Sequence, residues 1–143
     1  MSPRVLCIVG LLIWAAALRV TAAQTVEPRS AGVYTPQQAE RGRDEYTTAC
    51  AHCHSSDLLG DGRQEVPSLA QEDFFLRWSG RTAHDLFKVI STDMPADKPG
   101  RLTAAAYVDI VAYILQTNGF PAGASELRPD ADRLSAVVIE KQQ

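Results

Sequence analysis

The run Cys50-Ala51-His52-Cys53-His54 constrains this chain more than any other stretch. Two cysteines separated by two residues and followed at once by histidine have the spacing of covalent haem attachment. Both thiols can form thioethers to the vinyl groups at the porphyrin edge, and the adjacent imidazole then lies beneath the iron. A zinc half-site and a redox dithiol are the competing readings. Zinc needs about four ligands, and outside the pentad the only other cysteine and histidine are Cys7 and His84. A thioredoxin-like dithiol belongs beside a βαβ unit, and no alternating strand and helix signal surrounds residues 50–54. Haem is the reading that remains, and a chain that holds a planar cofactor must wrap around it.

The N-terminus says where such attachment would take place. Arg4 supplies a positive start, Val5 to Leu18 is an almost purely apolar run, and Val20-Thr21-Ala22-Ala23 offers the small residues of a cleavage site. Residues 1–23 therefore read as a secretory signal peptide, which points to export and a bacterial periplasm. The alternative is an uncleaved membrane anchor, favoured by Arg19 but opposed by an apolar run shorter than the ~20 residues that span a bilayer. Cys7 lies inside this segment and is passenger sequence. Cleavage leaves Cys50 and Cys53 as the only thiols, with no third cysteine for a structural disulfide. It also removes Arg4 and Arg19 and no acidic residue, so the formal charge falls from −3 by two to −5. That balance disfavours a nucleic-acid partner.

About 120 remaining residues fit one domain, small enough to benefit from an apolar prosthetic group in its core. Burying several hundred Å² of porphyrin at ~25 cal/mol per Å² contributes on the order of 10 kcal/mol before entropic costs. Residues 24–34 read as a flexible, polar leader. A helix starts where Thr35 can cap and Pro36 can occupy the first position, and it runs through Gly42 and Tyr46 toward Cys50. Leu58-Leu59-Gly60-Asp61-Gly62 reads as a loop folding back with two apolar side chains. Gln71 to Trp78 is a short helix with Phe74, Phe75 and Trp78 nearly on one face. Thr82 to Ser91 is another, with Thr82 and Asp85 shaped as a capping box and Leu86, Val89 and Ile90 on its apolar face. The clearest helix begins at Leu102-Thr103, is apolar nearly all round from Tyr107 to Leu115, and stops at Asn118-Gly119. The expected architecture is all-α, about four helices around one haem, over a domain at 35–120. In the tail, 121–143, Ser135-Ala136-Val137-Val138-Ile139 is left open between a short strand, a helix and a strip lying on the domain.

Met94 is the only methionine besides Met1, so it is the only thioether once the signal peptide is gone. A lone methionine is ordinarily a core gap-filler. Here it sits between two helices in Asp93-Met94-Pro95, where proline stiffens the loop, and that setting suits the distal ligand of a His/Met haem. His52 inside the pentad and His84 in the first turn of a helix are the competing ligands, and both read as solvated. His/Met ligation raises the potential and closes the iron, which favours electron transfer over chemistry on oxygen or peroxide.

With these residues in order, residues 35–120 resemble the class I cytochromes c. Gly42 and Tyr46 precede Cys50 in the family's Gly-x-x-x-aromatic pattern, and Asp109 to Ile114 is similar to its final helix, which crosses the first at that glycine. The resemblance implies that the Pro67 carbonyl accepts the Nδ1 proton of His54, that the Trp78 indole N–H meets a haem propionate, and that Arg81 can reach the same propionate. It implies one haem c held by Cys50 and Cys53, with His54 and Met94 on the iron. The mitochondrial members dock through a ring of lysines, whereas this chain has only Lys88, Lys98 and Lys141. Its Met-Pro-Ala-Asp-Lys-Pro-Gly loop is instead similar to small periplasmic cytochromes that accept electrons from quinoprotein dehydrogenases. The expected role is a monohaem electron carrier between a dehydrogenase and a terminal oxidase of the respiratory chain, monomeric or dehydrogenase-associated, and not itself an enzyme. The alternatives are a haem peroxidase or gas-binding protein with a labile Met94, and a cytochrome subunit tethered within a dehydrogenase complex.

Overall fold

The computed structural model describes residues 32–62 and 66–141. Residues 1–23, read above as a signal peptide, and most of the leader lie outside the described residues. Six helices and no strand are formed among them: α1 (Pro36–Ala49), α2 (Ala51–His54), α3 (Gln71–Trp78), α4 (Ala83–Asp93), α5 (Ala104–Thr117) and α6 (Ala131–Ser135). The fold is all-α. Its four longer helices are those expected from the sequence, while α2 and α6 are single turns. None of the described helices is long and apolar enough to cross a membrane.

Caps decide where the helices begin. Thr35 Oγ1 accepts from the Gln38 N–H ahead of Pro36, and Thr103 Oγ1 accepts from the Ala106 N–H. Thr82 and Asp85 complete a capping box in both directions. Ala70 has no side chain to cap α3, and Asn118 supplies the missing acceptor from the far end of α5, its Oδ1 taking the Gln71 N–H at 3.0 Å. The same side chain donates to the Leu69 and Ile114 carbonyls at 2.9 and 2.8 Å.

α1 and α5 form the most extensive helix pair. They meet at Gly42, where a Cβ would fall on the Asp109 carbonyl, so only glycine permits this backbone approach. Beside the crossing, buried Gln38 donates to Asp109 Oδ1 and to the Leu127 carbonyl and accepts the Leu127 N–H. Arg41 grips Asp109 at 2.9 Å and Glu126 at 2.9 Å. α5 is buried along its whole middle, from Tyr107 to Leu115 apart from Tyr113.

Two apolar faces differ from expectation. Leu58 folds inward at 1% exposure while Leu59 stays 39% exposed, because positive φ at Leu58 turns its neighbour outward. Val89 is 36% exposed, so the buried face of α4 rests on Leu86 and Ile90. Residues 32–34, assigned to the leader by sequence, lie against the segment after α5: the Tyr34 hydroxyl donates to the Phe120 carbonyl at 2.7 Å, and Gly123 N–H donates to Tyr34. A Cβ at Gly32 would strike the Ala122–Gly123 backbone. The tail buries Leu127, Leu134 and Ile139, and its end runs beside the link between α3 and α4 through an antiparallel Thr82–Val138 bridge.

Candidate haem site

Cys50 closes α1, its N–H bonded to the Tyr46 carbonyl at 2.8 Å, and at the same time opens α2. The Cys50 carbonyl accepts from both Cys53 and His54 N–H groups, at 3.1 and 3.0 Å, so the pentad is one tight turn with the two thiols three residues apart on it. Cys50 is half-buried and Cys53 exposed, and the two form no disulfide. Burial pushes the Cys50 thiol up to about 11, with Arg101 partly opposing.

The His54 side is fixed from two directions. Tyr46, packed at 5.5 Å against Tyr113 of α5, donates its hydroxyl to the Ser55 carbonyl at 2.7 Å, with the His54 carbonyl 3.2 Å away. Burial raises that hydroxyl above its ordinary range, so it remains a donor. His54 itself is 8% exposed, with Nδ1 3.1 Å from the Pro67 carbonyl. A carbonyl can only accept, so Nδ1 carries the proton of the neutral ring and the Nε2 lone pair is left for a metal.

Trp78 and Arg81 are brought together: the guanidinium carbon lies 5.3 Å from the indole centroid. The Trp78 Nε1 is the one buried side-chain polar atom without a partner among the described residues. A buried donor left unpaired is costly, and an anionic acceptor such as a haem propionate would satisfy it. Met94 ends α4 in extended backbone, half-buried against the core, and its carbonyl accepts the Tyr107 hydroxyl at 2.7 Å. α5 thus contacts the segments of both candidate ligands, the His54 turn through Tyr113 and Tyr46 and Met94 through Tyr107. His52 is exposed and His84 half-buried. Among the described residues no three of His, Cys, Asp and Glu converge on a metal position, as a zinc centre would require. A free imidazole nitrogen, two thiols on one turn, a thioether and an orphaned donor fit haem.

A model of the family described as cytochrome c oxidase, cbb3-type, subunit III matches residues 37–114. The chain belongs to this cytochrome c family. Haem c and electron transfer come with that membership, and the cytochrome is of class I in its fold. Among solved structures, the sulfane dehydrogenase SoxCD from Paracoccus pantotrophus is similar with a TM-score of 0.56 at 20% identity, over 71% of this chain and 52% of that one. At that identity the likeness concerns the fold alone, and the cytochrome spans about half the length of its structural neighbour. No curated protein matches it.

Sequence reasoning did not single out Tyr107, Tyr113 or Asn118 as supports of the site and its surroundings. One signal was present, since tyrosine hydroxyls and an amide in an otherwise apolar helix need partners once that helix is buried.

Proposed function

We propose that this cytochrome is a periplasmic one-electron carrier in which Cys50 and Cys53 hold one haem c covalently, His54 is the proximal ligand and Met94 the distal one. The observation that carries the reading is the His54 Nδ1 contact with Pro67, which frees Nε2 on the same turn that bears both thiols. Haem iron alternating between Fe(III) and Fe(II) supplies the one-electron chemistry. The protein's own share would be to keep the His54 tautomer and ring fixed, to supply the Met94 thioether, and to offer Trp78 Nε1 and Arg81 to the propionates. No bond chemistry is assigned to the chain itself.

The donor is a dehydrogenase, of the quinoprotein kind in the resemblance, and the acceptor is a terminal oxidase. Transient docking with both suits a small contact area. A second reading, a cytochrome subunit held within a dehydrogenase, is favoured by the structural neighbour, which is named as a dehydrogenase and of whose chain the match covers 52%.

Replacing Met94 tests the ligand set. Met94→Ala is expected to retain covalent haem after denaturation, to lose the Met-to-iron charge-transfer band, to bind carbon monoxide when reduced and to show a much lower potential. An unchanged spectrum and potential would remove Met94 from the iron. A wild-type protein without that band would instead point to the peroxidase or gas-binding alternative. The mass of the mature chain, free or in complex, separates the soluble carrier from the tethered subunit.

A further inference from the structure

We propose that Tyr107 is the positioning residue for the distal ligand: its hydroxyl latches the loop that presents Met94 and so sets how often the sixth iron position opens. The inference rests on Met94 being that ligand. Loop 94–102 leads from the end of α4 toward the start of α5. The Tyr107 hydroxyl donates to the Met94 carbonyl at 2.7 Å and lies 3.5 Å from the Leu102 N–H, so one oxygen touches both ends of the loop. Gly100 N–H donates to the same Met94 carbonyl at 3.3 Å, and Lys98 N–H donates to the Pro95 carbonyl at 2.9 Å.

Tyr107 is itself immobilised. It stands in the first turn of α5, its N–H bonded to Thr103, and its side chain is nearly fully buried. Behind it α5 is packed along α1, so the loop hangs from the most extensively packed helix pair among the described residues. An O–H to carbonyl distance of 2.7 Å is at the favourable mode for such bonds. Among the apolar residues of α5, the tyrosine oxygen has a use that phenylalanine could not fill.

The consequence follows from competition. A thioether is a neutral, weak ligand, and it holds the iron against outside ligands because it is already in place. With the Met94 carbonyl fixed, the backbone that carries the thioether is fixed too. The apparent affinity of an external ligand is its intrinsic affinity scaled by the open fraction of the loop. Loosening the latch raises that fraction without changing either iron ligand.

Imidazole titration of the ferric holoprotein, followed by loss of the Met-to-iron charge-transfer band, tests this. Tyr107→Phe keeps the ring and removes only the oxygen, and is expected to bind imidazole about threefold to tenfold more tightly, the worth of one hydrogen bond. Thr35→Ala removes the α1 cap at a comparable cost to global stability and is expected to bind as wild type. No change in Tyr107→Phe, or equal tightening in both variants, overturns the latch while leaving the ligand assignment standing. Absence of the band from the wild type overturns the Met94 assignment itself.

Discussion

Pairing of polar atoms separates the residues that hold this cytochrome together from the one atom that waits for a partner. Gln38, Asn118, Tyr46 and Tyr107 are buried or nearly so and bonded within the chain. Trp78 Nε1 is buried and unbonded. Trp78→Phe keeps an aromatic ring under Arg81 and deletes that donor. If a propionate carboxylate accepts the indole proton, the holoprotein loses about 1.5–3 kcal/mol, the range for hydrogen bonds to charged groups. Urea unfolding followed at the haem absorbance measures it, and an unchanged midpoint would leave the indole without a haem partner. Cys50, Cys53 and His54 were legible because their chemistry is contiguous. Pro67, Trp78 and Arg81 were legible only through the family pattern. Tyr107 and Asn118 were not, since their partners lie 13 and 49 residues away and exist only after packing.

Helix starts are local chemistry, and for that reason the element scale was the most readable. Thr35, Thr82 with Asp85, and Thr103 each announce a cap within three residues of the donor they bind. The start of α3 is the exception, because its cap comes from Asn118. The one-turn elements α2 and α6 escaped periodicity because four or five residues do not reach a second helical repeat. Gly42 is where local and tertiary preferences oppose each other. Alanine in place of glycine inside a helix gains about 1 kcal/mol by propensity alone. At this crossing the added carbon meets the Asp109 carbonyl, which is backbone and cannot swing aside. Pushing α5 away also strains the Gln38 and Arg41 bonds to Asp109. Overpacking of about 1–3 kcal/mol outweighs the propensity gain. Gly42→Ala should therefore lower the urea midpoint, and a raised midpoint would show that the helices have room there.

Across the described residues, the segment before α1 and the segment after α6 both pack back on the helices, and this closure bears on the site. Tyr34 docks on Phe120 and Gly123, while the tail returns past α6 to lie along the connection that follows Trp78. Gly80 N–H donates to the Ile139 carbonyl at 3.0 Å, Ile139 N–H donates to the Arg81 carbonyl at 2.8 Å, and Ala83 N–H donates to the Val137 carbonyl at 2.8 Å. The sequence left this tail open among strand, helix and strip, and its alternation was too short to decide. Its backbone bonds are to residues some 60 positions earlier, so nothing local distinguishes the outcomes. Ile139 is fully buried, and the backbone it carries brackets Arg81, the residue stacked on Trp78. Ile139→Ala removes most of that side chain from a packed interior and should cost about 2–5 kcal/mol. A whole domain of this size has about 5–15 kcal/mol in total, so the loss is large but survivable. If the tail only covers the core, thermal unfolding shifts and the haem spectrum of the folded protein does not. If it also holds the Trp78–Arg81 segment, the reduction potential of the folded variant shifts along with its stability. The bracketing bonds on either side of Arg81 favour the second outcome.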